Sequence, residues 1–227
     1  MSEHVFWEES WNSFDPGQVA HYLDHLMQCT DPVVQCLSAR KLAIVCDAGC
    51  GCGAYAMKLA RLGYSVFGFD ISGKAVQVTR QVLQSEGFPS EHFHVADITS
   101  SGFPDESFDA VVSRDVIDHL PLHSGTAAVS ELLRITRPGG CVILTLDDTD
   151  DEYESAPHTV SPEGDYLFTG GKWNGMVFHP YSPDEILNLS SIYPIDVIES
   201  DGGYIAVIEK QADPSGREID SCASLSF

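Results

Sequence analysis

Short apolar runs alternate with stretches of helical period through the middle of the chain. The apolar runs, which we expect to be buried strands, occupy 42–46, 65–69, 93–96, 108–113 and 141–146. Between them, 54–62, 72–85 and 124–136 have apolar residues at helical spacing. Strands that alternate with helices of about 10–15 residues are typical of βαβ units and a mostly parallel sheet. The chain is therefore expected to be α/β, with right-handed crossovers.

The C-terminal part of this pattern predicts a hairpin. Apolar runs at 195–199 and 204–209 are separated by Asp201-Gly202-Gly203, a short linker that favours an antiparallel pair. Before them, Ser182 and Glu185 have the spacing of a capping box, which predicts a further helix start.

Three segments lie outside the regular alternation. Residues 1–40 begin with aromatic side chains and continue at helical spacing, so we expect a helical cap with Asp15-Pro16 as one helix start. Residues 148–181 have no clean period, which is typical of a lid or binding loop. Residues 211–227 are polar and are expected to be disordered. The chain is therefore expected to consist of a helical cap (1–40), a main domain (41–210) that contains the lid, and a tail (211–227).

Candidate chemistry begins where the first strand ends. Asp47 is followed by Gly49, Gly51 and Gly53, a turn in which glycines let the backbone bend sharply and let a ligand lie against it. Two more acids, Asp70 and Asp97, close the second and third strands. Because ligands of open α/β sheets bind at the carboxyl ends of strands, these residues predict a nucleoside site. Asp70 would accept hydrogen bonds from both ribose hydroxyls.

The glycine spacing alone leaves two nucleosides open. Gly49-x-Gly51-x-x-Ala54 fits the Gly/Ala form of the dinucleotide pattern, so spacing does not exclude NAD. Asp47 disfavours NAD because it lies where a pyrophosphate would approach the helix N-terminus. S-adenosylmethionine has no phosphate, and its ammonium and sulfonium groups favour an acidic pocket.

The segment 42–147 resembles the class I S-adenosylmethionine-dependent methyltransferases. Asp47-x-Gly49-Cys50-Gly51-x-Gly53 is similar to the family's first motif, which holds the methionine end of the cofactor. The resemblance implies that Asp70 binds the ribose with Ile71 packed on the adenine. It also implies that Asp97 faces the adenine amino group, with Ile98 beside the ring.

Two further motifs carry the resemblance along the chain. Residues 108–113 are similar to the family's fourth-strand motif, and Arg137-Pro138-Gly139-Gly140 to the turn before its fifth strand. The implied fold is a Rossmann-like sheet of seven strands in the order 3-2-1-4-5-7-6. Its seventh strand is antiparallel, and helices cover both faces.

The loop after the fourth strand lies beside the transferring methyl in this family. The resemblance implies that Ser113 and Arg114 contact the cofactor through their backbone. Asp115 or His119 is expected to accept a proton from an O–H or N–H nucleophile, or to orient it. A structural hydrogen bond is the alternative for His119. A strong base is not required, since in-line positioning on a sulfonium supplies much of the acceleration.

The acceptor pocket is expected to come from the cap and the lid. Aromatic side chains over a cleft exclude water or face a cation, although ordinary packing is the alternative for each. The candidate acceptor-binding residues are Trp7, Trp11, Tyr22, Tyr166, Trp173 and His179.

The amino-acid composition argues against several classes of binding partner. The formal net charge of −22 disfavours nucleic acids and anionic lipid surfaces. No apolar run approaches the roughly 18 residues that span a bilayer, and the start lacks the basic segment of a signal peptide. The seven cysteines are odd in number and fit reduced thiols, and Cys50-x-Cys52 does not have metal-site or redox spacing. We therefore expect a cytoplasmic protein with no metal, nucleic-acid or membrane partner.

The favoured function is methyl transfer from S-adenosylmethionine to a small-molecule O, N, S or C nucleophile, which yields S-adenosylhomocysteine. Two alternatives stay open. One is an NAD-dependent oxidoreductase, and the other is a cofactor-binding regulatory protein without catalysis.

Overall fold

The computed structural model describes residues 3–12, 14, 17–200 and 202–211. Seven strands form its main sheet: β1 (Ile44–Ala48), β2 (Ser65–Asp70), β3 (Phe93–Val95), β4 (Phe108–Arg114), β5 (Thr136–Asp147), β9 (Ile195–Ser200) and β10 (Gly203–Glu209). Their order is β3-β2-β1-β4-β5-β10-β9. Strand β10 runs antiparallel to both of its neighbours, and the other pairings among β1–β5 are parallel. This confirms the predicted seven-stranded sheet.

Eight helices accompany the described part of the chain. They are α1 (Glu3–Asn12), α2 (Gly17–Gln28), α3 (Pro32–Ala39), α4 (Ala54–Arg61), α5 (Gly73–Ser85), α6 (Leu122–Ile135), α7 (Asp151–Ser155) and α8 (Pro183–Leu187). None of these helices is both long and apolar enough to cross a membrane.

Local sequence explains where several helices begin. The Ser72 hydroxyl accepts a hydrogen bond from the Ala75 amide at 3.1 Å and so caps α5. Ser182 and Glu185 form the predicted capping box at the start of α8. The predicted helix start at Asp15-Pro16 lies outside the described residues, as does the predicted tail beyond residue 211.

Strand β5 is longer than predicted. It begins at Thr136, directly after α6, and its register against β4 shifts between Phe108 and Ala110. The Gly139 amide donates to the Lys210 carbonyl at 2.7 Å, and the Lys210 amide donates to the Gly140 carbonyl at 2.9 Å. The predicted turn at 137–140 is therefore an irregular strand start, because the main chain there has a hydrogen-bonding partner after β10.

The predicted irregular lid is also more ordered than its sequence indicates. Within 148–181, β6 (His158–Val160), β7 (Tyr166–Phe168) and β8 (Val177–Phe178) form a second, antiparallel sheet. Its inner side chains, with Phe6 of α1 and Met176, form a separate apolar cluster. This small sheet has no sequence period because its strands are only two or three residues long.

The core consists of one large apolar cluster on each face of the main sheet. One contains Leu37, Val45 and Met57, and the other contains Phe69, Ile117 and Leu132. With both faces buried, the middles of β1 and β4 read as continuous apolar runs rather than alternating ones. Polar residues at the carboxyl ends of these strands are therefore the exceptions, and they mark the edge where the candidate site lies.

Candidate functional site

A cavity of about 290 Å³ opens at the carboxyl ends of β1, β2 and β4. In the sheet order, β1 lies between β2 and β4, so the chain extends the sheet on one side of β1 and later returns to extend it on the other. Open α/β sheets bind ligands at such a point. Among the predicted site residues, the cavity is lined by Trp7, Trp11, Asp47, Gly49, Cys50, Gly51, Asp70, Ile71, Asp97, Ile98, Arg114, Asp115 and His119. The structure thus brings most of the predicted residues together.

The glycine loop (residues 49–53) is fixed by hydrogen bonds that its own backbone amides donate. Those of Gly49 and Cys50 donate to the Phe69 carbonyl at 2.8 and 3.0 Å. The Gly51 amide donates to Asp70 Oδ2 at 2.9 Å, and the amide of residue 53 bonds within the loop. A pyrophosphate would need free amides at this position. Because four of its five amides are already engaged, the loop is less suited to a dinucleotide than to a ligand without phosphate.

Asp47 supplies a buried carboxylate at the floor of the cavity. Its side chain is 2% exposed, and Oδ2 has no hydrogen-bond partner within the described part of the chain. Burial raises its pKa to about 7, with Arg114 opposing the rise and Asp70 adding to it. A buried carboxylate that keeps one oxygen without a partner and lines a cavity is suited to a cationic ligand group such as an ammonium.

Asp70 and Asp97 present carboxylate oxygens along the next two loops. Asp70 is buried and accepts from the amides of Gly51 and Ser72, both at 2.9 Å. Burial raises the pKa of Asp70 although these bonds oppose the rise. Asp97 is exposed, and its Oδ1 accepts from the Thr99 amide and hydroxyl. Each carboxylate keeps lone pairs for a ligand, and a pair of ribose hydroxyls matches the two oxygens of Asp70.

Arg114 is the one arginine or lysine among the described residues that line the cavity. Its guanidinium carbon lies 4.4 Å from the centre of the Tyr55 ring, an arrangement that holds the cation over the aromatic face. Its charge opposes the rise in the pKa of Asp47 and, after Lys58, contributes to the lowered pKa of Asp31. The cavity therefore contains a guanidinium close to a carboxylate, a pairing that suits the two charged ends of an amino acid. Sequence reasoning missed Tyr55, which reads as ordinary helix core.

At the far end of the cavity, Asp115 and His119 lie in the turn after β4. Asp115 has a left-handed backbone (φ 53°), which is uncommon for a residue with a side chain and is typical of functional turns. Its amide donates to the Thr145 carbonyl at 3.1 Å, and its carboxylate accepts from the Thr145 hydroxyl. The turn is thereby fixed against β5.

His119 is buried beneath the cap. Its ring meets the Trp7 ring edge-on with centres 5.0 Å apart, and Nδ1 lies 3.3 Å from the Val177 carbonyl. Burial lowers the pKa of His119, so the ring is neutral at pH 7. Donation from Nδ1 to that carbonyl leaves Nε2 as the nitrogen able to accept a proton.

Helix α1 covers the cavity and is attached to the helix after β2. The Ser72 hydroxyl donates to Glu8 Oε2 at 2.6 Å, and the Lys74 amide lies 3.3 Å from the same oxygen. Trp11 lies over the glycine loop, where a Cβ on Gly51 would be 3.0 Å from its ring. The cap therefore contributes the wall opposite the acids.

Asp118 is a second residue that sequence reasoning missed. It is fully buried, and its Oδ2 accepts from the Asp147 amide at 3.0 Å while its carbonyl accepts from the His179 amide at 2.7 Å. Burial raises its pKa to about 7, against the effect of the Asp147 amide. The only sequence sign was an acid inside the apolar run from Val116 to Leu120. Asp118 joins the turn after β4 to both ends of the lid.

Four predicted acceptor residues lie outside the cavity. Tyr22 is 54% exposed on α2. Tyr166 stacks on His158 with ring centres 4.3 Å apart, and Trp173 packs edge-on against Tyr153. These lid aromatics pack on one another because the short second sheet needs its own core.

His179 is the fourth of these residues and is buried in a polar pair. Its side chain is 2% exposed, and Nδ1 lies 2.9 Å from Asp165 Oδ1. Asp165 also accepts from the Leu122 amide at 3.0 Å. The pair therefore ties β8 to the start of α6, which is a structural role rather than the predicted contact with an acceptor.

Two predicted cofactor residues also fall outside the lining. Gly53 starts α4 with φ 77°, and a Cβ there would lie 2.9 Å from the Thr79 backbone, so glycine is required by helix packing. Ser113 is fully buried, and its hydroxyl has no partner among the described residues. None of the described His, Cys, Asp and Glu side chains forms a group of three that could hold a metal ion.

Comparison with known proteins shows which proteins this chain resembles. Residues 46–144 match the model of a methyltransferase domain. The chain is 35% identical over 117 residues to a ubiquinone biosynthesis O-methyltransferase of Alkalilimnicola ehrlichii, covering 51% of this chain and 46% of that protein. It is 37% identical over 93 residues to a magnesium-protoporphyrin O-methyltransferase of Synechocystis, covering 39% of this chain and 38% of that protein. The chain thus spans less than half the length of these two relatives.

Solved structures agree on the fold. A SAM-dependent methyltransferase of Methanosarcina mazei superimposes with a TM-score of 0.64 at 21% identity, covering 81% of this chain and 99% of that one. Magnesium protoporphyrin IX methyltransferase of Synechocystis, solved with bound SAH, superimposes with a TM-score of 0.55 at 23% identity, covering 80% and 81%. These likenesses show that the chain shares the Rossmann-like α/β fold of these proteins.

Proposed function

We propose that the chain, whose residues 46–144 match a methyltransferase domain model, transfers a methyl group from S-adenosylmethionine to a small-molecule nucleophile. The observation that carries this proposal is the buried Asp47 carboxylate, whose Oδ2 has no partner among the described residues, beside a glycine loop in which four amides are already engaged. That combination favours a cationic nucleoside over a phosphate-bearing one. It is also why the NAD alternative is disfavoured.

The acidic wall and Arg114 would hold the two ends of the cofactor. In this proposal Asp47 faces the ammonium of the methionine part and Arg114 its carboxylate. Asp70 accepts the ribose hydroxyls, Asp97 accepts the adenine amino group, and the flanking Ile71 and Ile98 pack on the ring. When bound, S-adenosylmethionine supplies an electrophilic methyl on a sulfonium.

The acceptor would enter beside Asp115 and His119. Trp7 and Trp11 exclude water from this end of the cavity, and His119 Nε2 accepts the proton of an O–H or N–H acceptor or orients its lone pair. Positioning is the larger contribution, because an in-line approach to a sulfonium needs little additional activation. The two relatives named above are O-methyltransferases, which supports a hydroxyl as the first acceptor class to screen.

The proposal extends to location and partners. A cytoplasmic location is supported by the six described cysteines, all of which are free thiols. The net charge of −22 supports a small-molecule acceptor over a nucleic acid.

Isothermal calorimetry of the purified chain with S-adenosylmethionine, S-adenosylhomocysteine and NADH tests the cofactor. We expect micromolar binding of the first two and none of NADH. Asp70→Asn should weaken both by at least about tenfold, since one ionised hydrogen-bond acceptor contributes about 1.5–3 kcal/mol. Asp196→Asn, an exposed acid on β9, is the matched control and should bind as wild type. NADH binding at this site, or unchanged binding by Asp70→Asn, would reject the assignment.

Transfer of labelled methyl to a panel of hydroxyl, amine and thiol acceptors tests catalysis. Once an acceptor is found, His119→Gln should lower kcat by about tenfold or more with little change in cofactor affinity. Since burial keeps His119 neutral, kcat should stay flat with falling pH until below the ordinary histidine value of 6.5. Cofactor binding without transfer to any acceptor would favour the regulatory alternative.

A further inference from the structure

The guanidinium of Arg114 lies at the cavity with its hydrogen-bond donors free. Arg114 is the last residue of β4, and its half-buried side chain lines the cavity. Among the described residues, none forms a hydrogen bond or an ion pair with its guanidinium. The contact that holds the group is with the Tyr55 ring, whose centre lies 4.4 Å from the guanidinium carbon. A guanidinium held by an aromatic face keeps its N–H donors for a carboxylate.

The Tyr55 ring is fixed by burial at the start of α4. Tyr55 lies in the first turn of that helix, directly after the glycine loop, and is 6% exposed while still lining the cavity. Its hydroxyl has no hydrogen-bond partner among the described residues. The part of Tyr55 that serves the cavity is therefore the face of the ring, which phenylalanine also has and leucine lacks.

A buried ion pair holds the helix face that carries this ring. Lys58 follows Tyr55 by three residues, so the two side chains share one face of α4, and Lys58 Nζ lies 5.8 Å from the ring centre. Lys58 is 4% exposed, and its Nζ donates to Asp31 Oδ2 and to the Leu26 carbonyl, both at 2.7 Å. Leu26 also lines the cavity, from α2. Because a buried ammonium loses its partners if it moves, this pair fixes Tyr55 relative to the cap.

We propose that Tyr55 is a positioning residue that makes the chain selective for a cofactor with a carboxylate. Its ring holds the Arg114 guanidinium where it meets the carboxylate of S-adenosylmethionine, so the chain prefers this cofactor to decarboxylated S-adenosylmethionine. The inference rests on the proposed function, in which Arg114 faces that carboxylate and Asp47 the ammonium. The decarboxylated form keeps the adenosyl, sulfonium and ammonium groups. The other contacts assigned to the cofactor are therefore common to the two ligands.

Calorimetry of the full chain with the two ligands at pH 8 tests this selectivity. We expect the wild-type chain to bind S-adenosylmethionine at least about tenfold more tightly, because guanidinium–carboxylate hydrogen bonds are charge-assisted. Tyr55→Leu should weaken binding of S-adenosylmethionine about tenfold, since the guanidinium loses the aromatic face that orients it. Binding of the decarboxylated form should change less than about twofold in that variant. Tyr55→Phe keeps the ring and should restore the preference.

Further variants separate positioning from packing. Tyr64→Leu is the matched control, because Tyr64 is a partly buried tyrosine that packs against the same core cluster as Tyr55 and lies outside the cavity lining. It should bind both ligands as the wild-type chain does. Arg114→Met should abolish the preference, and adding Tyr55→Leu to it should cause no further loss, since Tyr55 then has no guanidinium to position. Circular dichroism confirms that each variant is folded.

Four results would overturn the proposal. They are equal affinity of the wild-type chain for the two ligands, a loss in Tyr55→Leu that is absent or equal for both ligands, a loss in Tyr55→Phe as large as that in Tyr55→Leu, and additive losses in the double variant. A wild-type chain that binds neither ligand would reject the proposed function itself, and this inference with it.

Discussion

Replacing Asp47 with asparagine separates what this carboxylate costs the fold from what it contributes to binding. The substitution keeps the shape of the side chain and removes its charge. Asp47 is 2% exposed, and burial raises its pKa from 3.8 to about 7. Because each pKa unit corresponds to about 1.4 kcal/mol, ionised Asp47 destabilises the folded chain by about 4 kcal/mol at pH values above 7.

The destabilisation caused by ionised Asp47 increases as pH rises. Below about pH 4 the carboxyl is protonated in both the folded and the unfolded chain, so its effect on stability is absent. As pH rises, the unfolded carboxyl ionises first, and stability falls until the folded carboxyl ionises near pH 7. Asp47→Asn should therefore be more stable than wild type by about 4 kcal/mol at pH 8 and by about 2 kcal/mol at pH 5. For a chain of this length, the pH 8 difference is roughly 10 °C in Tm.

The same substitution should impair binding. At pH 8 the variant lacks the charge that faces the ammonium, so we expect its Kd for S-adenosylmethionine to rise at least about tenfold. Wild-type affinity should fall as pH drops through about 7, because a proton then competes for Asp47, and the variant should lack this dependence. Thermal unfolding and calorimetry from pH 5 to pH 8 measure both effects.

A second buried acid provides the control of opposite sign. Asp109 is buried outside the cavity and is paired, with Arg137 Nη1 at 2.7 Å and the Ala43 amide at 2.8 Å. Asp109→Asn should therefore lower stability at pH 8. A stability gain in Asp47→Asn that does not change with pH, or unchanged cofactor affinity in that variant, would refute the reasoning.

Three further predictions test single contacts. Trp11→Ala should weaken cofactor binding about tenfold by calorimetry, because it opens the wall above the glycine loop; unchanged affinity would place α1 outside the site. Gly53→Ala should lower the free energy of unfolding by about 2 kcal/mol in denaturant, since its Cβ meets the Thr79 backbone at positive φ; no loss would contradict the packing. His179→Ala should lower it by about 2–3 kcal/mol because the buried Asp165 loses one of its hydrogen-bonding partners. Cofactor affinity should be unchanged in His179→Ala, and a large loss of affinity would indicate that this histidine takes part in binding.

The acidic half of the site could be predicted because local pattern determines it. A buried parallel strand is apolar throughout, so the position where an acid ends it marks the edge of the sheet. Asp47, Asp70 and Asp97 were found in this way, and all three line the cavity. The positive φ of the glycine turn is likewise a local property that the residue type requires.

Other features of the site could not be predicted because they depend on contacts between distant segments. Tyr55 reads as part of an amphipathic helix, and only the path of β4 brings Arg114 over its ring. The lid aromatics looked available for an acceptor, but Tyr166 and Trp173 pack on neighbours within the second sheet. A list of aromatic residues does not distinguish packing from binding, since both bury the same kind of surface.

The site therefore has two parts with different constraints. The cofactor end is built from strand ends and a loop whose main chain is held by its own hydrogen bonds, so its geometry follows from the sheet. The proposed acceptor end is built from α1 and the lid, which meet at His119 through Trp7 on one side and the Val177 carbonyl on the other. Neither segment belongs to the main sheet. Exchanging the lid, and α1 apart from Trp11, should therefore change the acceptor while cofactor affinity is retained, because Trp11 is the described residue of these segments that lies over the glycine loop.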